Sequence, residues 1–468
     1  MLLGIDGADR KNRTALIEDG TGRCHTYRNL VEHVECLRDR LRAPSRSLLF
    51  LFCRNDLNSV AWYLAAVEAG HAVALLSARM DAAFRENLIS CYCPDWVCGP
   101  ESPADPIYRA CDHAGLWRRN EPTGMPLFPS LSLLLPTSGS TGSPKFVRLT
   151  RTNISANAES IREALGITAD DRPVAHLPLY YSYGLSVLNS HLLAGATILL
   201  TDAGLISSGF WESIRRHRVD SFSGVPYTYQ MLRRLGLEKL NVPLVRTLTQ
   251  AGGKLDTVNI AHFHECMLKR NGGFWTMYGQ TEATARISVL HPRELPRKLS
   301  SAGRAIPGGS LSILTESGAR TTAADVEGEL VYDGANVMLG YALGRADLAK
   351  GDELGGRLYT GDRAVLDDQG FVQILGRLQR DAKVFGLRMN LDDVEAFICP
   401  KGPAAAVAGA KAVVIFCEFG DAERYAALRE ELSAKLRVHR SAFEFRRIDR
   451  LPIGETGKVR YEALQDLL

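Results

Sequence analysis

Short apolar segments alternate with helix-periodic segments along the first part of the chain. Tyr27 to Leu41 has apolar residues at helical spacing, and the apolar run from Ser47 to Phe52 is typical of a buried strand. A second helix is predicted from Asn58 to Ala69, and a second strand from Ala72 to Leu76. Regular strand–helix alternation is the pattern of an α/β domain with a largely parallel sheet, so we predict that architecture here.

The same alternation resumes after residue 150 and continues to about residue 277. Its first helix is predicted to run from Asn153, as the N-terminal cap, to Leu165, with Gly166 beyond its end. We expect this region and the preceding one to form one continuous α/β sheet.

The pattern changes in the last third of the chain. From Ser300 to Leu375, short apolar runs separated by glycines predict a twisted antiparallel or barrel-like subdomain. The α+β remainder of about 90 residues has the size of a small separate domain. We therefore predict a large N-terminal domain over residues 1–378, with mixed or parallel sheets flanked by helices plus the β-rich subdomain. A small, mobile α+β domain is predicted over residues 379–468, after a hinge near Gln379.

Composition excludes several classes of protein. Of the 468 residues, 46% are hydrophobic and 23% are charged, as in ordinary globular proteins, and the net charge of +3 gives no reason to expect nucleic acid as a partner. The ten cysteines do not form paired metal-binding knuckles, so we expect free thiols. The sequence contains neither a signal-peptide core nor a membrane-spanning apolar run, which predicts a cytoplasmic protein.

One loop has the composition of a phosphate-binding site. The sequence TSGSTGSPK runs from Thr137 to Lys145 between two predicted strands, Leu131 to Pro136 and Phe146 to Leu149. Its glycines permit close backbone approach to an anion, its hydroxyl groups can donate hydrogen bonds, and its lysine adds a positive charge. A flexible connector has a similar composition. A P-loop is disfavoured because Pro144 stands where the second glycine of that motif belongs.

Five further motifs follow this loop in a fixed order, and together they resemble one family. They are YGQTE at Tyr278–Glu282, YTGD at Tyr359–Asp362, Gly376–Arg377, KVFGLRMN at Lys383–Asn390 and PIGETGK at Pro452–Lys458. With TSGSTGSPK, they resemble the adenylate-forming superfamily of acyl- and aryl-CoA synthetases, adenylation domains and beetle luciferases. The resemblance spans roughly residues 25 to 465, which makes it far more specific than any single motif.

The resemblance implies an activity. Members of the family use ATP, with Mg²⁺, to convert a carboxylic acid into an acyl adenylate, and then transfer the acyl group to a thiol. We therefore expect an acid–thiol ligase whose acceptor is coenzyme A. The alternative is a stand-alone adenylation enzyme that loads the phosphopantetheine arm of a separate carrier protein. A third possibility is a catalytically reduced adenylate-binding protein, and retention of the motif residues argues against it.

The resemblance also implies roles for individual residues. The phosphate loop would hold the β- and γ-phosphates, Glu282 would bind Mg²⁺, and Lys458 would be the mobile lysine of the first half-reaction. Thr281 would contact the α-phosphate, Tyr278 the adenine, and Asp362 the ribose with help from Arg377. The residues implied to bind the nucleotide are Thr137, Ser138, Gly139, Ser140, Thr141, Gly142, Lys145, Gly252, Gly253, Tyr278, Gly279, Gln280, Asp362 and Arg377.

Two departures from the family pattern bear on the acid. Tyr181 stands where the family commonly has a histidine that lines the acyl pocket, and Ser182 stands where amino-acid-activating members place an aspartate. An α-ammonium group would lose its buried counter-ion at Ser182, so an acid without an α-amine is predicted. Tyr181, Ser182 and Trp275 are the predicted pocket residues.

Overall fold

A computed structural model of the chain describes residues 1–137, 145–378, 380–384, 387–409, 412–436 and 438–468. Up to residue 150 the strands and helices are, in order, β1 (Thr14–Glu18), β2 (Cys24–Thr26), α1 (Tyr27–Arg40), β3 (Leu48–Cys53), α2 (Leu57–Glu68), β4 (Ala72–Ser77), α3 (Ala82–Tyr92), β5 (Trp96–Cys98), β6 (Tyr108–Ala110), β7 (Leu116–Arg119), β8 (Leu131–Pro136) and β9 (Phe146–Thr150). Up to residue 300 they continue as α4 (Arg151–Leu165), β10 (Val174–Ala175), α5 (Ser182–Ala194), β11 (Ile198–Leu200), α6 (Ser208–Arg216), β12 (Ser221–Gly224), α7 (Pro226–Leu235), β13 (Thr247–Gln250), α8 (Thr257–Leu268), β14 (Gly273–Tyr278) and β15 (Ser288–Leu290).

The remaining elements are mostly strands until the C-terminal region. They are β16 (Arg304–Ala305), β17 (Gly309–Leu314), β18 (Arg320–Thr321), β19 (Gly328–Gly334), β20 (Gly340–Ala342), β21 (Arg357–Leu366), β22 (Val372–Arg377), β23 (Asp381–Val384), β24 (Leu387–Asn390), α9 (Leu391–Ile398), β25 (Ala404–Ala408), β26 (Val413–Cys417), α10 (Ala422–Leu436), β27 (Phe443–Arg447) and α11 (Tyr461–Gln465).

An eight-stranded sheet bears the two strands that flank the phosphate loop. Its order is β20-β9-β8-β4-β3-β5-β7-β6, and β3, β4, β5 and β8 form its parallel part. β8 enters the loop and β9 leaves it as an antiparallel partner. Buried residues of this sheet pack against α1, α2 and α5, because all three helices present apolar faces to it. The predicted α/β architecture is confirmed.

The prediction of one continuous sheet is wrong. β12, β13 and β14 are parallel to each other and form a separate five-stranded sheet with β15 and β16. The eight-stranded sheet cannot extend to them, because β20 pairs with the outer edge of β9. The four strands β10-β11-β1-β2 form another sheet, whose bridge between Pro173 and Ser221 contacts the five-stranded one.

Helix α4 begins earlier than predicted. Thr150 is its N-cap, and Asn153 is the third helical residue, so the assignment of Asn153 as the cap is wrong. The two residues bond each other reciprocally: Thr150 Oγ1 accepts from the Asn153 backbone N–H at 3.0 Å, and Asn153 Oδ1 accepts from the Thr150 N–H at 2.8 Å. Gly166 ends the helix with a φ of 64°, as predicted.

The β-rich region that follows Ser300 forms an antiparallel sheet, as predicted. Its sheet has the order β18-β17-β19-β21-β22, and each neighbouring pair is antiparallel. The smaller C-terminal region contains the β23–β24 hairpin and the sheet β25-β26-β27, packed with α9, α10 and α11. This large α/β part followed by a small α+β part confirms the predicted fold class.

Side-chain packing separates these two parts. The two hydrophobic clusters of the C-terminal region contain residues from 382 onward, and the clusters of the large part end at residue 374. All ten cysteines lie in the described part of the chain as free thiols, as predicted. Among the described helices, none has the length and apolarity needed to cross a bilayer.

Candidate active site

The candidate site lies at the carboxyl ends of β12, β13 and β14. Parallel strands of α/β sheets bind ligands at this edge, because the turns that follow the strands meet there. The turn after β13 contains Gly252, which has a φ of 85°, and a Cβ on this residue would lie 2.5 Å from Tyr181 Oη. After β14, a Cβ on Gly279 would overlap the carbonyl oxygen of Ala285. Glycine is therefore required at both turns.

A buried carboxylate, Asp362, is the centre of one cluster. Its Oδ2 accepts hydrogen bonds from Tyr278 Oη at 2.5 Å and from Gln280 Nε2 at 2.7 Å. Its Oδ1 lies 3.3 Å from Nε of the exposed Arg377, which stands opposite it in the β21–β22 register. Burial raises the pKa of Asp362, while Arg377 and the two hydrogen bonds oppose that rise. The cluster provides two acceptor oxygens beside a guanidinium that is open to solvent.

Glu282 forms a second cluster with Tyr341 and Lys145. Tyr341 Oη donates to Glu282 Oε1 at 2.8 Å. Lys145 Nζ lies 3.4 Å from the centroid of the Tyr341 ring, a cation–π contact. Lys145 is the last residue of the phosphate loop, so the tyrosine connects that end of the loop with the carboxylate.

Two hydroxyl groups meet beside the residues predicted to line the acyl pocket. Ser182, the first residue of α5, has its Oγ 3.1 Å from Thr281 Oγ1. Tyr181 precedes it and is buried, with its ring 6.2 Å from that of Tyr183. Trp275 is half-buried and packs beside this group, with its ring 4.6 Å from that of His291.

Lys458 reaches the site from the C-terminal region on a tight turn. The Gly454 N–H donates to the Lys458 carbonyl at 2.8 Å, and the Gly457 N–H donates to the Gly454 carbonyl at 2.9 Å. Lys458 Nζ lies 5.4 Å from the centroid of the Tyr181 ring. Lys458 Cε lies 3.7 Å from where a Cβ on Gly252 would stand.

The pKa of Lys458 is lowered to about 8, first by burial and then by the positive charge of Arg377. Glu282 and Asp362 act in the opposite direction. The lysine therefore senses the charges of both carboxylate clusters, and it remains mostly protonated below about pH 8.

The turn is held against the large part of the chain by side-chain hydrogen bonds. Glu455 accepts from Ser77 Oγ at 3.0 Å and from Tyr180 Oη. Arg450, which lies on the segment leading to the turn, donates to Tyr227 Oη at 2.9 Å. These contacts fix Lys458 in the cleft.

Most of the predicted site residues thus come together. Thr137 and Lys145 flank the phosphate loop, and Gly253 follows Gly252 in the β13 turn. The predictions for Ser138, Gly139, Ser140, Thr141, Gly142 and the hinge residue Gln379 fall outside the described residues.

Sequence reasoning missed two side chains that contact the site or its surroundings. They are Tyr341, which bonds Glu282, and the fully buried Arg286. No motif marks Tyr341. The signal for Arg286 is a charged residue between Ala285 and Ile287, in a segment that leads into a buried strand.

A comparison with protein families shows the family to which the chain belongs. The sequence model of the AMP-binding enzyme family matches residues 103–342, more than half of the 468 residues. The chain belongs to the AMP-binding enzyme family. This membership confirms the resemblance seen in the motifs and the predicted class of enzyme, an AMP-forming acid–thiol ligase.

Curated members of the AMP-binding family align with most of the chain. A 2-succinylbenzoate–CoA ligase of Bacillus velezensis is 30% identical over 360 residues, which cover 74% of this chain and 71% of the relative. An oxalate–CoA ligase of Arabidopsis thaliana is 28% identical over 343 residues, which cover 70% of this chain and 66% of the relative.

The fold agrees with that of solved structures. The O-succinylbenzoate coenzyme A synthetase of Bacillus subtilis in complex with AMP superposes with a TM-score of 0.79 over 99% of this chain and 98% of that one. Its sequence identity is 23%, so this match concerns the fold.

Proposed function

We propose that this AMP-binding enzyme activates a carboxylic acid that lacks an α-amine and transfers the acyl group to coenzyme A. The observation that supports this most directly is the position of Lys458. It lies in one cleft with the Glu282 cluster and the Asp362–Arg377 pair, although it is distant from both in sequence. A cation in this position can stabilise the negative charge that develops when two anions, a carboxylate and a phosphate, react.

The nucleotide would bind across the two carboxylate clusters. Asp362 would accept hydrogen bonds from the ribose hydroxyls through the oxygen that faces Arg377, with Tyr278 beside the adenine. The turns with Gly252, Gly253 and Gly279 would border the nucleotide, and Gln280 holds the orientation of Asp362. The loop from Thr137 to Lys145 would bind the terminal phosphates.

Glu282 fits the requirement for Mg²⁺. The ion is usually bound in proteins by one or two carboxylates together with the phosphates of the substrate. Glu282 is half-buried, and its Oε1 accepts the hydrogen bond from Tyr341 Oη. When bound, Mg²⁺ would neutralise phosphate charge, and Tyr341 would hold the Glu282 carboxylate in place.

The first half-reaction forms one bond and breaks one. A carboxylate oxygen of the acid attacks the α-phosphorus, and the bond from that phosphorus to the β-phosphate bridge breaks to release pyrophosphate. Lys458 would stabilise the charge on the α-phosphate oxygens, and Thr281 would donate a hydrogen bond to the same group.

The second half-reaction requires a thiol to reach the acyl carbon. The sulfur attacks that carbon, its proton is lost to solvent, and AMP leaves. We propose that the C-terminal domain, residues 379–468, rotates about a hinge near residue 379 and withdraws Lys458 at this stage. The separation of hydrophobic clusters around residue 379 supports this division.

The environment of Ser182 supports the choice of acid. Its hydroxyl is engaged with Thr281 Oγ1 and provides no charge for an α-ammonium group. Tyr181 and Trp275 would line the entrance to the acyl pocket.

The experiment that tests the proposal is an acid-dependent pyrophosphate exchange assay with ATP and Mg²⁺, across aryl, aliphatic and amino acids. Active acids are then incubated with coenzyme A, and in parallel with a phosphopantetheine-bearing carrier protein. We expect AMP, pyrophosphate and an acyl-CoA in equal amounts. Exchange limited to amino acids contradicts the choice of acid, and thioester formed on the carrier alone contradicts coenzyme A as the acceptor.

A further inference from the structure

Arg286 is a fully buried arginine whose charge is not balanced by an ion pair with any residue that the structure describes. Its exposed fraction is 2%, and its Nε has no hydrogen-bond partner. Across the described ranges of the chain, no ion pair or side-chain hydrogen bond involves its guanidinium. The contact that it makes is with Tyr183, whose ring centroid lies 4.7 Å from Arg286 Cζ.

A second fully buried arginine shows how such a charge is normally accommodated. Arg148 also has a side chain without exposure, and it pairs with Glu353 and donates to the carbonyl oxygens of Tyr341 and Lys350. A buried charge without such partners is strongly unfavourable, because it has lost its hydration without compensation. The environment of Arg286 is therefore that of an anion-binding group.

The guanidinium borders a cavity of about 130 Å³ between helices α4 and α5 and the five-stranded sheet. Its wall is apolar at Ile161, Val187 and Met277 and bears hydroxyl groups at Ser186, Ser190 and Ser223. The cavity is far larger than one water molecule needs, so it can hold part of an organic ligand. Other titratable residues on its wall do not compete for the guanidinium. The Asp171 carboxylate accepts from the backbone and hydroxyl of Thr168, and burial lowers the pKa of His191 to about 4.

Two packed tyrosines lie between the cavity and Lys458. Tyr183 lines the cavity and packs against Tyr181, with 6.2 Å between ring centroids, and Tyr181 in turn lies below Lys458. An acid whose reacting carboxylate faces Lys458 would thus extend past the two tyrosines toward Arg286.

We propose that the acid activated by this enzyme bears a second carboxylate, and that Arg286 binds it in the cavity lined by Tyr183. This inference rests on the proposed function and specifies its substrate class as dicarboxylic acids. A guanidinium can donate two parallel hydrogen bonds to a carboxylate, and the hydroxyl-bearing wall can supply further donors. An acid with an apolar end would leave Arg286 without a counter-ion.

The test compares pairs of acids in the pyrophosphate exchange assay with the natural chain. Each pair consists of a dicarboxylic acid and the monocarboxylic acid in which a methyl group replaces the distal carboxylate. We expect kcat/KM to be about a hundredfold or more higher for the dicarboxylic member of the best pair, because a buried charge pair is lost in the other. Higher kcat/KM for the monocarboxylic member of every active pair would overturn the inference and leave the proposed function intact.

Two variants assign the preference to Arg286. Arg286→Met should remove most of the preference for the dicarboxylic member, and Arg286→Lys should retain part of it, because a charge remains. Ser190→Ala, which changes the same cavity without changing its charge, should keep the preference. An unchanged preference in Arg286→Met would contradict the assignment.

A binding measurement separates this inference from the proposed function. Without ATP, the dicarboxylic acids should raise the melting temperature of the natural chain more than their monocarboxylic partners do. A rise of this kind without any pyrophosphate exchange would support the Arg286 site and refute the proposed function. Equal shifts for both members of each pair would refute the Arg286 site.

Discussion

The ammonium group of Lys458 lies 5.4 Å from the centroid of the Tyr181 ring, so a side chain of the C-terminal region lies against a residue predicted to bind the acid. Burial raises the pKa of the Tyr181 phenol, which therefore stays neutral around pH 7. The contact is thus a cation facing a neutral ring. It places the lysine between the two carboxylate clusters and the residues proposed to bind the acid.

We expect Lys458→Ala to lower the rate of acid-dependent pyrophosphate release by about two to three orders of magnitude, because it removes a cation from developing charge. ATP binding should change little, since the ribose and terminal phosphates contact other residues in the proposed arrangement. Rapid-quench measurement of pyrophosphate checks the rate, and calorimetric titration with ATP checks the affinity. An unchanged rate would contradict the role of this lysine, and Lys239→Ala, at an exposed position, is the control.

The rate of adenylation should depend on pH through the same group. The pKa of Lys458 is lowered to about 8, so the lysine is protonated below that pH and loses its charge as pH rises through it. The pH dependence of kcat/KM reports the ionisations of the free enzyme. We therefore expect kcat/KM for ATP to fall above about pH 8. Lys458→Arg should lose this decline, because a guanidinium stays charged. The same decline in the arginine variant would assign the titration to another group.

Weakening the contact that holds the Lys458 turn should affect one half-reaction more than the other. Glu455→Gln removes the negative charge of the carboxylate that accepts hydrogen bonds from Ser77 Oγ and Tyr180 Oη. A hydrogen bond to a charged group is worth about 1.5–3 kcal/mol, so adenylation should slow by roughly tenfold or more. Thioester formation from purified acyl adenylate and coenzyme A should not slow, because the proposed rotation breaks this contact.

The matched control for that experiment is Glu444→Gln, which alters an exposed carboxylate of the C-terminal region that pairs with Arg446. Both half-reactions should keep their rates in this control. Equal slowing of both half-reactions in Glu455→Gln would count against domain rotation.

Gly252→Ala tests the close packing of the β13 turn. Gly252 has a φ of 85°, and a Cβ there would lie 2.5 Å from Tyr181 Oη. The turn must shift, so we expect adenylation to slow by at least about tenfold and the melting temperature to fall. Gly318→Ala carries the same backbone penalty, with a φ of 82° and open space around the added atom. It should lower stability alone, and a similar loss of activity in both variants would mean that the clash with Tyr181 is unimportant.

Local features of this fold could be predicted because they depend on neighbouring residues. The strand β3 and the helix α4 are visible as apolar periodicity. The predicted cap of α4 lies three residues beyond the true one, because Thr150 and Asn153 both have a side-chain oxygen able to cap. The division into separate sheets depends on pairings such as β9 with β20, whose partners are distant in sequence. No local pattern contains that information.

The site residues likewise include some that the sequence reveals and some that only the fold reveals. Glu282, Asp362 and Lys458 lie in short motifs and could be recognised from the sequence. Tyr341 and the open charge of Arg286 could not, because their importance depends on what surrounds them after folding. For Arg286, the sequence shows a charge in an apolar segment, and the fold determines that no carboxylate in the described ranges forms an ion pair with it.

Asp362 lies on β21 of the antiparallel sheet. Two side chains that bond it, Tyr278 at the end of β14 and Gln280 just after it, belong to the sheet of β12–β16. The Asp362 carboxylate therefore links two layers of the protein, and it is also the proposed acceptor of hydrogen bonds from the ribose. A nucleotide bound there would fasten both layers at one point. Nucleotide binding would then restrict the motion of the two sheets relative to each other. In the enzyme without nucleotide, the two sheets would separate most easily.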